Sequence, residues 1–212
     1  MMLRALAVLP LLAAWAVAGH YASAGDAPAD LSVALGVLPL VLAAGLLLWR
    51  TPSVALRLAA SLGCIALLAW LWPQLRQNVA LLYYIQHLGS HAALGAVFGH
   101  TLLGPGEALI TRIARGIQPG GQLSARQIRY THRVSIAWTA FFFANALLST
   151  LLFVLAPTVI WSVHANLLTG PLIGLMFLVE YLVRLRILPP AERPGFVSAI
   201  RAYRENAHLA KP

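Results

Sequence analysis

The chain has 212 residues, of which 60% are hydrophobic and only 10% charged. Soluble domains carry about 25% charged residues, so a water-exposed globule of this size is excluded, as is room for a separate soluble domain. The net charge of +9 sits between apolar runs, which argues against a nucleic-acid surface and for the positive loops that face the cytoplasm in membrane proteins.

Six apolar runs approach or exceed the roughly 20 residues that a bilayer span needs. They cover residues 3–19, 31–49, 54–71, 79–103, 134–155 and 159–182. They predict an all-α, polytopic bundle of six transmembrane helices over residues 1–188. The first run also reads as a cleavable signal peptide, since Arg4 opens it and Ala22-Ser23-Ala24 follows. Its length, with Pro10 and Trp15 inside it, favours a retained helix. Trp70 and Trp72 end the third run and suit an interfacial aromatic belt. In the fourth run, Gly89, Ser90, Ala92, Ala93, Gly95 and Ala96 permit close helix packing.

Residues 104–133 form a basic loop. Within it, Leu109, Ile110, Ile113 and Ile117 alternate with Arg112 and Arg115, the pattern of a short helix lying on the membrane surface. Pro119-Gly120-Gly121 breaks it. Ser124 and Gln127 have capping-box spacing, so a new helix starts at Ser124 and leads into the fifth span. Pro157 lies just beyond that span. Pro171 lies inside the sixth and is expected to kink it. Residues 189–212 form a basic tail, in which Phe196, Ile200 and Tyr203 share a face of an amphipathic helix.

With both termini in the cytoplasm, 14 of the 15 Lys and Arg residues fall inside. Only Arg76 falls outside, together with Asp26 and Asp30. So strong a bias sets the orientation for a six-span chain.

Ionisable groups inside spans are costly and are functional candidates by default. His87 and His91 stand four apart on one face of the fourth span, with Tyr83 and Tyr84 beside them. Three readings are open for this pair: hydrogen bonds between helices, a proton or ligand site, or a metal site. A metal needs a third ligand; His164 and Glu180 are candidates from elsewhere in the chain, and nothing in the sequence brings them near. On the sixth span, Asn166, Thr169, Ile173, Glu180 and Arg184 fall on one broad face of a continuous α-helix. Glu180 and Arg184 have the spacing of a helix ion pair, which reads either as structure or as a proton or substrate site. Asn145 in the fifth span suits a hydrogen bond between helices. The single cysteine, Cys64, lies in an apolar run, which excludes an intramolecular disulfide and a cysteine metal cluster. No phosphate-binding loop, dinucleotide fingerprint, zinc-protease motif or serine-hydrolase elbow is present. No cofactor and no metal are implied.

The segment YYIQHLGSHAALGAVFGHTL (83–102), with ANLLTGPLIGLMFLVEYLVRLRILPP (165–190), RPGF (193–196) and RAYR (201–204), resembles a family of bacterial inner-membrane proteins. That family is encoded in clusters for aryl-polyene pigments and related type II fatty-acid-like pathways. The resemblance covers roughly residues 75–205. It implies a multi-pass protein of the bacterial inner (cytoplasmic) membrane, in the company of ketosynthases, acyl carrier proteins, acyltransferases and exporters. Some members carry the label ketosynthase. This sequence does not support it, because its one cysteine lies in an apolar run rather than in a soluble thiolase-like fold.

The expected function is therefore a non-enzymatic accessory or transport role in the synthesis or export of a lipid-like product. The lipid bilayer is a partner throughout. The basic loop and the C-terminal segment from Arg184 hold 11 of the 15 Lys and Arg residues, a cytoplasmic surface suited to acidic acyl carrier protein, its biosynthetic enzymes or anionic lipid. Two alternatives stay open. One is an intramembrane acyl or lipid transferase with His87 or His91 as base. The other is a small proton-coupled transporter using Glu180, with Arg184, Asn166 and Tyr84 on the candidate site.

Overall fold

The computed structural model describes residues 2–193 and is all-α, with no strand among the described residues. The helices are α1 (Met2–Ala24), α2 (Ala29–Trp49), α3 (Val54–Gln77), α4 (Val79–Leu103), α5 (Leu109–Ile117), α6 (Ala125–Leu155), α7 (Thr158–Ser162) and α8 (Thr169–Ile187), with a π-helical segment Val163–Leu168 joining the last two. Short 3₁₀ turns occupy Pro119–Gly121 and Pro190–Glu192. The amphipathic tail helix expected around Phe196, Ile200 and Tyr203 lies outside the described residues.

Among the described residues, four helical runs are long and apolar enough to cross a membrane: Ala29–Trp49, Val54–Gln77, Ala125–Leu155 and Thr158–Ile187. At 25 residues α4 has the length, but Tyr83, Tyr84, Gln86 and three histidines dilute its apolar content, and it is not one of the four. Leu46, Leu47 and Trp49 at the end of α2 are 71%, 72% and 81% exposed, and α3 has no buried residue. Apolar surface on that scale has no place in water; against acyl chains it costs nothing.

Local chemistry explains the breaks. Between α5 and α6, Gly120 and Gly121 adopt φ of 74° and 65°, a left-handed conformation that side chains disfavour. The capping box then forms as its spacing predicts. The Ser124 N–H donates to Gln127 Oε1 at 2.7 Å, and the Gln127 N–H to Ser124 Oγ at 3.1 Å. Pro171 lacks the N–H that an α-helix would aim at Leu167. The backbone answers with the π-helical segment just upstream, in which the Thr169 N–H reaches back five residues to the His164 carbonyl.

The described residues divide into two compact units, one within 2–88 and 148–170 and the other within 89–147 and 171–193. In the first, α1 packs on α2, on α7 and on the π segment, and α2 packs on α3. Its buried residues include Val33, Trp161, Ser23, Ser32, Ser162 and His164. Gly36 lets Leu82 and Tyr83 come within 2.9 Å of where a Cβ would stand. Tyr83 and Gln86 then donate to the carbonyls of Ser32 and Gly36, at 3.0 and 3.1 Å. In the second unit the core is an aromatic stripe, Tyr130, Val134, Trp138 and Phe142, closed by Leu188 and flanked by Phe98, Ile110, Ile173 and Met176. Of the small residues of α4, Gly95 and Gly99 are approached closely there: the Phe143 ring lies 3.1 Å from the missing Cβ of Gly95, and Thr139 Cγ2 3.2 Å from that of Gly99.

Candidate functional site

In the first unit polar side chains from α1, α4, α7 and α8 gather around the π segment. Thr169 Oγ1 lies 3.0 Å from the His164 carbonyl and 2.9 Å from His87 Nε2. Its hydroxyl donates to the carbonyl when His87 carries its proton on Nε2, and to Nε2 in the other tautomer. The His164 ring stands edge-on to His87, with centroids 5.6 Å apart. The sequence offered no reason for these two histidines to meet. The fold supplies it, through α4 and the π segment.

On the other side of the segment, Ser162 and Ser23 are 0% and 2% exposed, with their hydroxyls 2.7 Å apart. His20 Nδ1 is 2.8 Å from Ser162 Oγ. Asn166 Nδ2 donates to Ser23 Oγ at 2.9 Å and to the Ser162 carbonyl at 3.2 Å. Gly19 admits Asn166, whose Oδ1 sits 2.9 Å from the place of a Cβ. Either atom of the His20–Ser162 and Ser23–Ser162 contacts can donate, and both hydroxyls also have the His20 carbonyl as an acceptor, at 3.1 Å from Ser162 and 3.3 Å from Ser23. His20, Ser23 and Ser162 were not visible as a site in the sequence, because they lie some 140 residues apart along the chain.

Tyr84 is held by packing. It stacks on Phe153 at 4.2 Å, meets Trp161 edge-on and donates to Thr150 Oγ1 at 3.1 Å.

The other candidate residues belong to the second unit. The His91 side chain is buried, with its ring 6.0 Å from that of Phe142. Glu180 and Arg184 form the expected helix ion pair at 3.6 Å. Tyr130 adds what the sequence did not predict, donating to Glu180 Oε1 at 2.8 Å, with the Glu180 carbonyl at 3.0 Å. A cavity of about 140 Å³ beside them is lined by Ile110, Ile113, Gln127 and Arg184 among others.

Asn166 lies in the π segment rather than on the regular turn of α8, and Ser23 and Ser162 engage it. One expectation is corrected. Asn145 does not bond across helices; its Nδ2 donates to the Phe141 carbonyl of its own helix at 2.9 Å. Among the described residues, no group of three or more His, Cys, Asp or Glu is placed to hold a metal.

Outside the spans, Glu107 meets Arg115, whose Nε donates to Glu107 Oε2 at 3.0 Å. That hydrogen bond holds the Glu107 carboxyl below its ordinary range and raises Arg115. No family model, no curated protein and no solved structure matches this chain.

Proposed function

We propose that this is a multi-pass protein of the bacterial cytoplasmic membrane, with six spans and both termini in the cytoplasm. On this reading it supports the synthesis or export of a lipid-like acyl product without catalysing a step itself. The observation that carries the reading is an apolar cavity of about 390 Å³ between α2 and α3 in the first unit. Val37, Leu40, Val41, Leu48, Ile65 and Leu68 line it. Ser61 and Cys64 are the polar side chains of an otherwise apolar lining, so the slot suits an aliphatic or polyene chain better than a polar solute. The resemblance to proteins of aryl-polyene and fatty-acid-like pathways points the same way. Acidic acyl carrier protein is then the soluble partner expected at the basic loop; charge reversal at Arg126 with Arg129 is expected to abolish its pull-down.

A second reading is an intramembrane transfer reaction. It is favoured by His87, whose ring meets that of His164 with centroids 5.6 Å apart, and by the 2.8 Å contact of His20 Nδ1 with Ser162 Oγ, the spacing of a base and its nucleophile. One experiment separates the two. A deletion strain is complemented with wild type, Gly45→Phe or His87→Ala, protein level is checked by immunoblot, and extracted lipid and pigment are profiled by mass spectrometry. Gly45 lines the cavity and has open space at its Cβ position, so phenylalanine fills the slot. Loss of product in Gly45→Phe, with His87→Ala behaving as wild type, is the result expected. A stalled intermediate in His87→Ala, with Gly45→Phe active, establishes the transfer reading instead.

A further inference from the structure

Arg129 and Arg133 stand one turn apart near the start of α6, with His132 between them. With Glu107, Thr111 and Ile128 they line an open hollow of about 420 Å³. Among the described residues neither arginine forms an ion pair with a carboxylate; Glu107, the one acid in the hollow, is engaged by Arg115. The hollow therefore presents two guanidinium groups to whatever enters it, in the fork geometry that suits phosphate oxygens.

The same helix face continues past the arginines. Residues 129, 133, 136, 140, 143 and 147 fall at alternating steps of four and three, which is one stripe of an α-helix. Every one of them is exposed. The stripe reads Arg, Arg, Ile, Ala, Phe, Leu. Charge at one end gives way to Ile136, Phe143 and Leu147, which are 48%, 47% and 61% exposed. This is the polarity profile of one phospholipid, headgroup first and acyl chain after. An acidic protein surface would match the arginines but not the apolar stripe that follows without a break.

We infer that Arg129, His132 and Arg133 form a headgroup site for an anionic phospholipid whose acyl chain lies along Ile136, Phe143 and Leu147. The inference rests on the membrane reading of α6 given above. Basic pockets of this kind beside spans take anionic headgroups by charge and hydrogen bonding together.

The test uses the full chain. A carbonate wash of membranes comes first; release of wild type by the wash would overturn the membrane reading itself. Protein purified in neutral detergent is then offered phosphatidylglycerol or phosphatidylcholine, and retained lipid is counted by native mass spectrometry. Wild type is expected to retain phosphatidylglycerol about tenfold or more over phosphatidylcholine, and Arg129→Gln with Arg133→Gln to lose that preference. Arg126→Gln, outside the hollow, is expected to keep it. Equal retention of the two lipids by wild type, or an unchanged preference in the double variant, overturns the site. If the double variant does not accumulate, salt decides on wild type. At about 1 M, where screening reaches about 3 Å, phosphatidylglycerol alone is expected to dissociate; a preference unaffected by salt overturns the proposal. Displacement of the lipid by an equal concentration of inorganic phosphate assigns the site to free phosphate. Capture of acidic carrier protein through these residues, with lipid retention unchanged, assigns it to that protein.

Discussion

Single side chains in this protein are placed by hydrogen bonds more than by charge. Glu180 shows how. Its ion pair with Arg184 belongs to one helix and adds a few tenths of a kcal/mol in exposed settings, about 0.2–0.5. The Tyr130 hydroxyl ties it to α6. Tyr130→Phe is therefore expected to lower stability in detergent by about 1 kcal/mol, read as an earlier melting midpoint. Glu180→Gln keeps an acceptor for Tyr130 and is expected to melt near wild type. Asn166→Ala removes the donor shared by Ser23 and Ser162 and is expected to cost about 1–2 kcal/mol, whichever functional reading holds. Glu107 supplies the pH dependence. Its folded pKa lies below the ordinary carboxylate value, so its pairing with Arg115 contributes fully above that value. The contribution is lost as pH falls through the depressed folded value. Hydrogen exchange across α5, corrected for intrinsic rates, is expected to lose protection only in that acidic window. Protection unchanged down to the depressed value and beyond would show that the pair does not hold α5.

At the scale of elements, α5 is the clearest case of a short helix made stable by its neighbours. Nine residues are too few to hold a helix alone. Two of its orphan N–H groups find side-chain acceptors, Leu109 at Thr101 Oγ1 and Ile110 at Ser135 Oγ, at 2.9 and 3.1 Å. Thr111 is buried against Thr131, 2.8 Å between hydroxyls. The start of α6 depends on its capping box, and Ser124→Ala is expected to cost about 1 kcal/mol. Helix contact in the second unit depends on Gly95. Gly95→Val drives a side chain into the Phe143 ring and is expected to cost about 1–3 kcal/mol through overpacking, measured by melting in detergent. The π segment is the element that most alters the chemistry. It turns His164 toward His87 and Asn166 toward Ser23, residues that a regular α-helix would orient by a different step.

For the whole molecule, the apolar exterior and the placement of charge carry the argument. Arg76 lies 3.1 Å from Asp30, and Trp72 Nε1 donates to the same carboxylate at 2.8 Å. This brings together the one arginine and one of the two aspartates assigned to the outer face, and so fits antiparallel α2 and α3. With six spans, a cysteine introduced at position 26 in a Cys64→Ser background is expected to react with an impermeant maleimide in intact cells. One at position 122 is expected to react only after permeabilisation. Labelling of both positions in intact cells would reject the six-span topology.

Composition and hydrophobic pattern were enough to predict an all-α membrane protein, because apolar runs of bilayer length permit little else. Local signals were legible for the same reason of short range: the capping box at Ser124, the break at Gly120-Gly121 and the Glu180–Arg184 pair each need only a few consecutive residues. Tertiary structure decided the rest. His87 meets His164, Ser162 meets His20, and Tyr130 meets Glu180 across 77, 142 and 50 positions. A helical wheel assigns a face, but it cannot say which other helix occupies it. Nor could the pattern foresee the π turn just before Pro171, which takes Val163–Leu168 off the regular α-helical step.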